Sequence, residues 1–159
     1  MRVHEVMTAP ARACLPTDSL HTAAEIMWST DCGFVPVIDE QRHVVGTVTD
    51  RDICMAAHNE GKPLGKRTVD MVMSPDPCTC RAEDSVREAA HLMGAQRVRR
   101  VPVLDADERL VGVLSLVDLA DAATDPARCA TAEITAEDIV ATLATIARAP
   151  ANEGSAEPD

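Results

Sequence analysis

The chain has 159 residues, with 15 Lys and Arg against 26 Asp and Glu for a formal net charge of −11, and it is 46% hydrophobic but 1% aromatic. A chain this long buries roughly 70% of the surface that its unfolded state exposes, so whole-chain disorder is excluded and no disulfide or metal is needed for folding. The acidic balance and the scarcity of stacking rings argue against nucleic acid as a partner, while the lack of an 18-residue apolar run, with His4 and Glu5 near the start, argues against a membrane or secretory segment and predicts a cytoplasmic protein.

In chain order, a short strand is expected around Ala13 to Leu15, and Asp18-Ser19 then reads as a helix start. Leu20, Ala23, Ala24 and Met27 follow at helical spacing. The β-branched runs Phe34 to Ile38 and Val44 to Thr49, joined by the polar stretch Asp39 to His43, predict a hairpin with Pro36 where no ladder N–H is required. A helix follows from about Asp50 to His58. Segment 59–67, with Gly61, Pro63 and Gly65, reads as a linker.

The same order then returns. Residues 69–119 match 3–53 at an offset of 66 without a gap, with 16 identities in 51 positions, where average residue usage gives roughly 3 or 4. Ser85 and Glu88 form a capping-box pattern ahead of Val86, Ala89, Ala90 and Met93. The predicted class is α/β (α+β), two tandem β-α-β-β-α repeats over 1–58 and 68–123. Beyond them, 124–148 is an acidic helix region in which Thr135 and Asp138 cap a helix bearing Ile134, Ile139, Leu143 and Ile146, and 149–159 is a tail expected to be disordered.

The six cysteines include no Cys-x-x-Cys pair, which predicts reduced and mostly buried thiols; Cys78-x-Cys80 lacks two further ligands for a metal. None of His4, His21, His43, His58 and His91 falls in a catalytic or metal-ligand motif, and no nucleophile elbow or phosphate loop is present. The chain is therefore read as a non-enzyme without catalytic residues, metal or resident cofactor.

Three recurring elements carry a resemblance: Val6-Met7-Thr8 and Val72-Met73-Ser74, Val35-Pro36-Val37 and Val101-Pro102-Val103 with Asp39 and Asp105, and Gly46-x-x-Thr49-x-x-Asp52 with Gly112-x-x-Ser115-x-x-Asp118. In that order at one offset, they resemble a tandem pair of CBS domains. The resemblance implies repeats paired through their sheets about a pseudo-twofold axis, a flat dimer of two such pairs, and clefts that bind AMP, ADP, ATP or S-adenosylmethionine.

The residues themselves fit that chemistry. Gly46 and Gly112 allow close approach to a strand that ends at a helix N-terminus suited to phosphate. Thr49 and Ser115 carry hydroxyl donors, and Asp52 and Asp118 can accept from the hydroxyls of a ribose. Capping alone also explains the spacing, as Thr135-x-x-Asp138 warns. Arg97, Arg99 and Arg100 are a cluster of cations in an acidic chain; the resemblance favours Arg100, then Arg99, as phosphate contacts, and Arg51 serves the other cleft. Pro36 and Pro102, with residues around Ala13 and Cys14 or Thr79 and Cys80, form the expected adenine lining.

The expected function is a stand-alone regulatory, energy-sensing protein that binds an adenosine-containing ligand and signals to a separate protein partner or through its own assembly. A homodimer is predicted from apolar helix faces holding Ala23, Ala24, Met27, Ala89, Ala90 and Met93. The alternative is a ligand-free dimeric interaction scaffold.

Overall fold

In the computed structural model, which describes residues 1–61, 63–125 and 134–148, each repeat forms a helix, a hairpin and a second helix. In the first repeat these are α1 (Leu20–Ser29), β1 (Phe34–Ile38), β2 (Val44–Thr49) and α2 (Asp50–Glu60). Two short strands, β3 (Ser74–Pro75) and β4 (Cys80–Arg81), precede α3 (Val86–Gln96), β5 (Arg100–Leu104), β6 (Leu110–Ser115) and α4 (Leu116–Thr124) of the second, and α5 (Ala136–Ala147) comes last. The tail predicted over 149–159 lies outside the described residues.

Local signals explain these elements. Ser19 accepts the Thr22 amide at the start of α1, and Ser85 with Glu88 closes a capping box on α3. The two hairpins share one register, Phe34 opposite Thr49 and Arg100 opposite Ser115, with an irregularity after Val37 and after Val103. The expected strand at Ala13 to Leu15 contracts to a single parallel bridge, Cys14 to Val37, whereas its counterpart survives as β4. Helix α2 continues into the predicted linker until Gly61, whose φ of 61° ends it. The linker is itself part of the packing: Arg67 is buried, and its Nη1 donates to the Ala56 carbonyl at 2.6 Å.

The opening segments of the repeats change places. Val3 donates its amide to the Asp84 carbonyl at 3.0 Å and is buried in the second core, while Val69 donates to Asp18 at 2.9 Å and is buried in the first. Thr8 bridges Val113 on β6 through two 3.0 Å bonds, just as Ser74 on β3 pairs with Thr47 on β2. Each repeat thus completes its sheet and its core with residues of the other, so the copies in sequence are not the units in space. At the far end, His43 bridges its own equivalent, Arg109, which places a pseudo-twofold axis between the sheets.

Ala23, Met27, Ala89, Ala90 and Met93 are buried inside these two cores. The surplus apolar surface expected from them is therefore spent within one chain. The faces also differ between repeats: α5 packs on α3 and α4, where Gly94 faces Thr142, whereas α1 presents Trp28, 90% exposed, at the position equivalent to Gly94. No helix among the described residues is long and apolar enough to cross a membrane.

Candidate functional site

Two clefts open where the sheets meet. The first, about 330 Å3, takes Ser115, Val117 and Asp118 from the end of β6 and the start of α4, and Phe34 and Pro36 from β1. It is completed by Thr8, Pro10, Ala11 and Arg12 of the exchanged opening segment, by Asp31 and Cys32, and by Arg100. The second, about 870 Å3, takes Thr47, Thr49, Asp50 and Arg51 from the first repeat and Arg97 to Arg100 and Pro102 from the second, with Ser74 to Cys78 along its side. A shift of 66 carries most of one lining onto the other: Thr8 to Ser74, Asp31 to Arg97, Pro36 to Pro102, Ser115 to Thr49 and Val117 to Arg51.

The Thr/Ser-x-x-Asp motifs cap their helices. The Thr49 amide and hydroxyl both donate to Asp52 Oδ2, at 2.8 and 2.7 Å, and the Asp52 amide returns to Thr49 Oγ1 at 3.3 Å. Ser115 and Asp118 repeat this at 2.7, 2.7 and 3.2 Å. Thr135 and Asp138 repeat it on α5, away from both clefts. The hydroxyl protons of Thr49 and Ser115 point to the carboxylates, so donation to a phosphate would require either hydroxyl to rotate. What separates the first two motifs from the third is position, because Thr49, Ser115 and Asp118 line clefts. In Asp118 the caps use Oδ2, which leaves Oδ1 as an acceptor.

Of the other expected residues, Arg51, Arg99, Arg100 and Pro102 come together in the larger cleft and Pro36 in the smaller. Asp52 is in neither lining. Gly46 and Gly112 also line neither cleft: each faces the exchanged segment, Gly46 against Met73 and Gly112 against Met7. Their lack of a Cβ serves chain crossing and not ligand approach. The adenine lining shifts as well. Cys14 and Cys80 are buried in the cores, and burial pushes both thiols up to about 12. Ala13 and Thr79 stand outside both linings, and Arg12 and Cys78 occupy the clefts in their stead. The bridge from Cys14 to Val37 accompanies the burial of Cys14 in the core.

The five described cysteines are free; two are buried, Cys32 and Cys78 are half-buried at the clefts, and Cys54 is exposed, fewer buried than the sequence predicts. Among the described residues no group of three or more His, Cys, Asp or Glu converges on a metal-sized site. Sequence reasoning missed Thr8 with Pro10 and Ala11, Ser74 to Pro77, Asp31 and Ile146 of α5. The first two are Pro-bearing segments at equivalent places, a signal that the 66-residue offset contains.

The CBS domain family model matches residues 3–59 and 69–125. The uncharacterized protein YlbB of Bacillus subtilis (strain 168) is 34% identical over 119 residues, which is 74% of this chain and 79% of YlbB. The solved structure of CBSX2, a CBS-pair protein from Arabidopsis thaliana, in complex with AMP is 31% identical with a TM-score of 0.67, covering 77% of this chain and 95% of that one. The CBS-domain pair of protein MJ0100, in complex with 5-methylthioadenosine and S-adenosyl-L-methionine, is 25% identical with a TM-score of 0.66, covering 76% and 93%.

Proposed function

The chain belongs to the CBS-domain family, and from that premise we propose that it is a regulatory protein that binds adenosine-containing ligands in its two inter-repeat clefts. The observation that carries this reading is their equivalence: each joins a capped helix start on one repeat to a Val-Pro-Val strand of the other and includes arginine. Adenosine ligands in CBSX2 and MJ0100 support the ligand class. In the smaller cleft the ribose is assigned to Asp118 Oδ1, the phosphate to Arg100 and Arg12, and the adenine to the side of Phe34 and Pro36. In the larger cleft Arg51, Arg97, Arg99 and Arg100 favour ligands with more phosphate.

The output passes to a separate protein partner or through a homodimer, and no catalysis is assigned to the chain. We place the dimer contact on the α1–α2 face, where the exposed Trp28 joins Ala24, Ile53 and Ala57 in lining a groove. Helix α5 covers the corresponding face of the second repeat. Thermal melting and calorimetry with AMP, ADP, ATP and S-adenosylmethionine test the reading. A ligand at 100 times its Kd should add about 2.7 kcal/mol to folding stability. No heat and no melting shift with any of the four leaves only the scaffold role.

A further inference from the structure

Phe34 and Arg100 are the two residues that line both clefts, and they are equivalent under the 66-residue repeat. They mark the place where the pseudo-twofold axis passes between the sites. A cation at both positions would give each cleft its own, but the chain has a phenyl ring at one and a guanidinium at the other.

From this we infer that the two clefts compete for one shared cation, Arg100, so that an anionic ligand in one weakens anion binding in the other. The inference rests on the clefts being adenosine-ligand sites. The charges favour one direction. The larger cleft holds Arg51, Arg97, Arg99 and Arg100 against Asp50 and Asp76, or 4 − 2 = +2. The smaller holds Arg12 and Arg100 against Asp31 and Asp118, or 2 − 2 = 0. When a phosphate in the larger cleft draws the Arg100 guanidinium to itself, the smaller cleft is left at 1 − 2 = −1 and repels a second anion. The base of Arg100 is fixed in the ladder opposite Ser115, so its choice is made by the side chain alone. Coupling then needs no movement of either repeat; reciprocity requires that a ligand in the smaller cleft weaken the larger by the same factor.

Calorimetric titration with AMP, with adenosine as the uncharged control, tests this. Wild type should show a tight event and a second one at least about tenfold weaker, the size of one lost charge-assisted contact. Asp118→Asn should weaken only the second event, which assigns it to the smaller cleft. Two variants then separate competition from clefts that merely differ. Arg97→Ala with Arg99→Ala removes two of the larger cleft's three own arginines and so weakens its hold on a phosphate and on Arg100; the smaller cleft should tighten about tenfold although none of its residues has changed. Phe34→Arg supplies the second cation but also removes the ring assigned to the adenine, so its readout is the ratio of AMP to adenosine affinity in the weak event, which should rise about tenfold. Adenosine should not respond to the double variant. A weak AMP event that the double variant leaves unchanged, with an AMP-to-adenosine ratio that Phe34→Arg leaves unchanged, overturns the sharing of Arg100 while leaving the ligand class standing. Failure of the wild type to bind adenosine, AMP, ADP, ATP or S-adenosylmethionine at millimolar concentration overturns both readings.

Discussion

Met73 Sδ lies 2.8 Å from where a Cβ on Gly46 would stand, with the Ser74 carbonyl oxygen at 3.0 Å, and Gly112 meets Met7 and Thr8 in the same way. The glycine of each repeat is the gap through which the other repeat's opening segment passes.

Gly46→Ala should therefore destabilise the fold by about 1–3 kcal/mol, the usual cost of inserting a methyl group into a filled space. Gly65→Ala, whose Cβ would meet nothing within 4 Å, is the control and should change stability by less than about 0.5 kcal/mol. Urea denaturation compares the two. Equal midpoints would remove the packing role of Gly46.

Asp118→Asn and Asp52→Asn should separate, because Asp118 lines a cleft and Asp52 does not. Both lose part of a helix cap, worth about 1 kcal/mol or less. Only Asp118→Asn should also weaken AMP, by about 1.5–3 kcal/mol, through loss of the charged acceptor for ribose. Calorimetry and melting curves on the same samples give both quantities.

Alkylation by iodoacetamide followed by peptide mapping should label Cys54 readily when the protein is dilute enough to be monomeric, for it is exposed on the single chain, and leave Cys14 and Cys80 unlabelled in the folded protein. Burial holds these two thiols up at about 12, so their thiolate fraction at neutral pH is negligible. Added AMP should slow Cys32 and Cys78, which line the clefts, without slowing Cys54. Equal slowing at Cys54 would point to the α1–α2 groove as the ligand site.

Two capping carboxylates contribute to the acid dependence of stability. The Ser85 hydroxyl and amide hold the Glu88 carboxyl below its ordinary 4.5, and the Thr135 amide and hydroxyl hold Asp138 below 3.8. A lowered folded-state pKa contributes stability that is complete above the unfolded value and is lost as pH falls through the folded one. The melting temperature should thus decline as pH drops below 4.5, and Glu88→Gln should flatten that decline. An unchanged acid slope in the variant would show that the Ser85–Glu88 box contributes nothing there.

Periodicity, caps and turn residues made the helices and hairpins legible, because their signals are local: Ser85 caps through a residue three positions away. The exchange of opening segments was not legible. Val3 bonds to Asp84 and Val69 to Asp18, and two repeats of one pattern offer each segment equivalent acceptors, so no local pattern says which copy it joins. The same limit displaced the site. Cys14 and Arg12 are separated by one residue, yet the cysteine is buried in the core and the arginine lines a cleft. Likewise Asp52 and Asp118 share one motif and one capping geometry yet differ in cleft exposure, which depends on the partner repeat.

The crystal structure of the AMP complex tests the central claim most directly. The account predicts AMP between the repeats: in the larger cleft with its phosphate on Arg100 beside Arg97 and Arg99, and, once the smaller cleft also fills, with its ribose hydroxyls on Asp118 Oδ1 and its adenine beside Phe34 and Pro36. AMP seated outside both clefts, for instance in the groove between α1 and α2 beside Trp28, would contradict it.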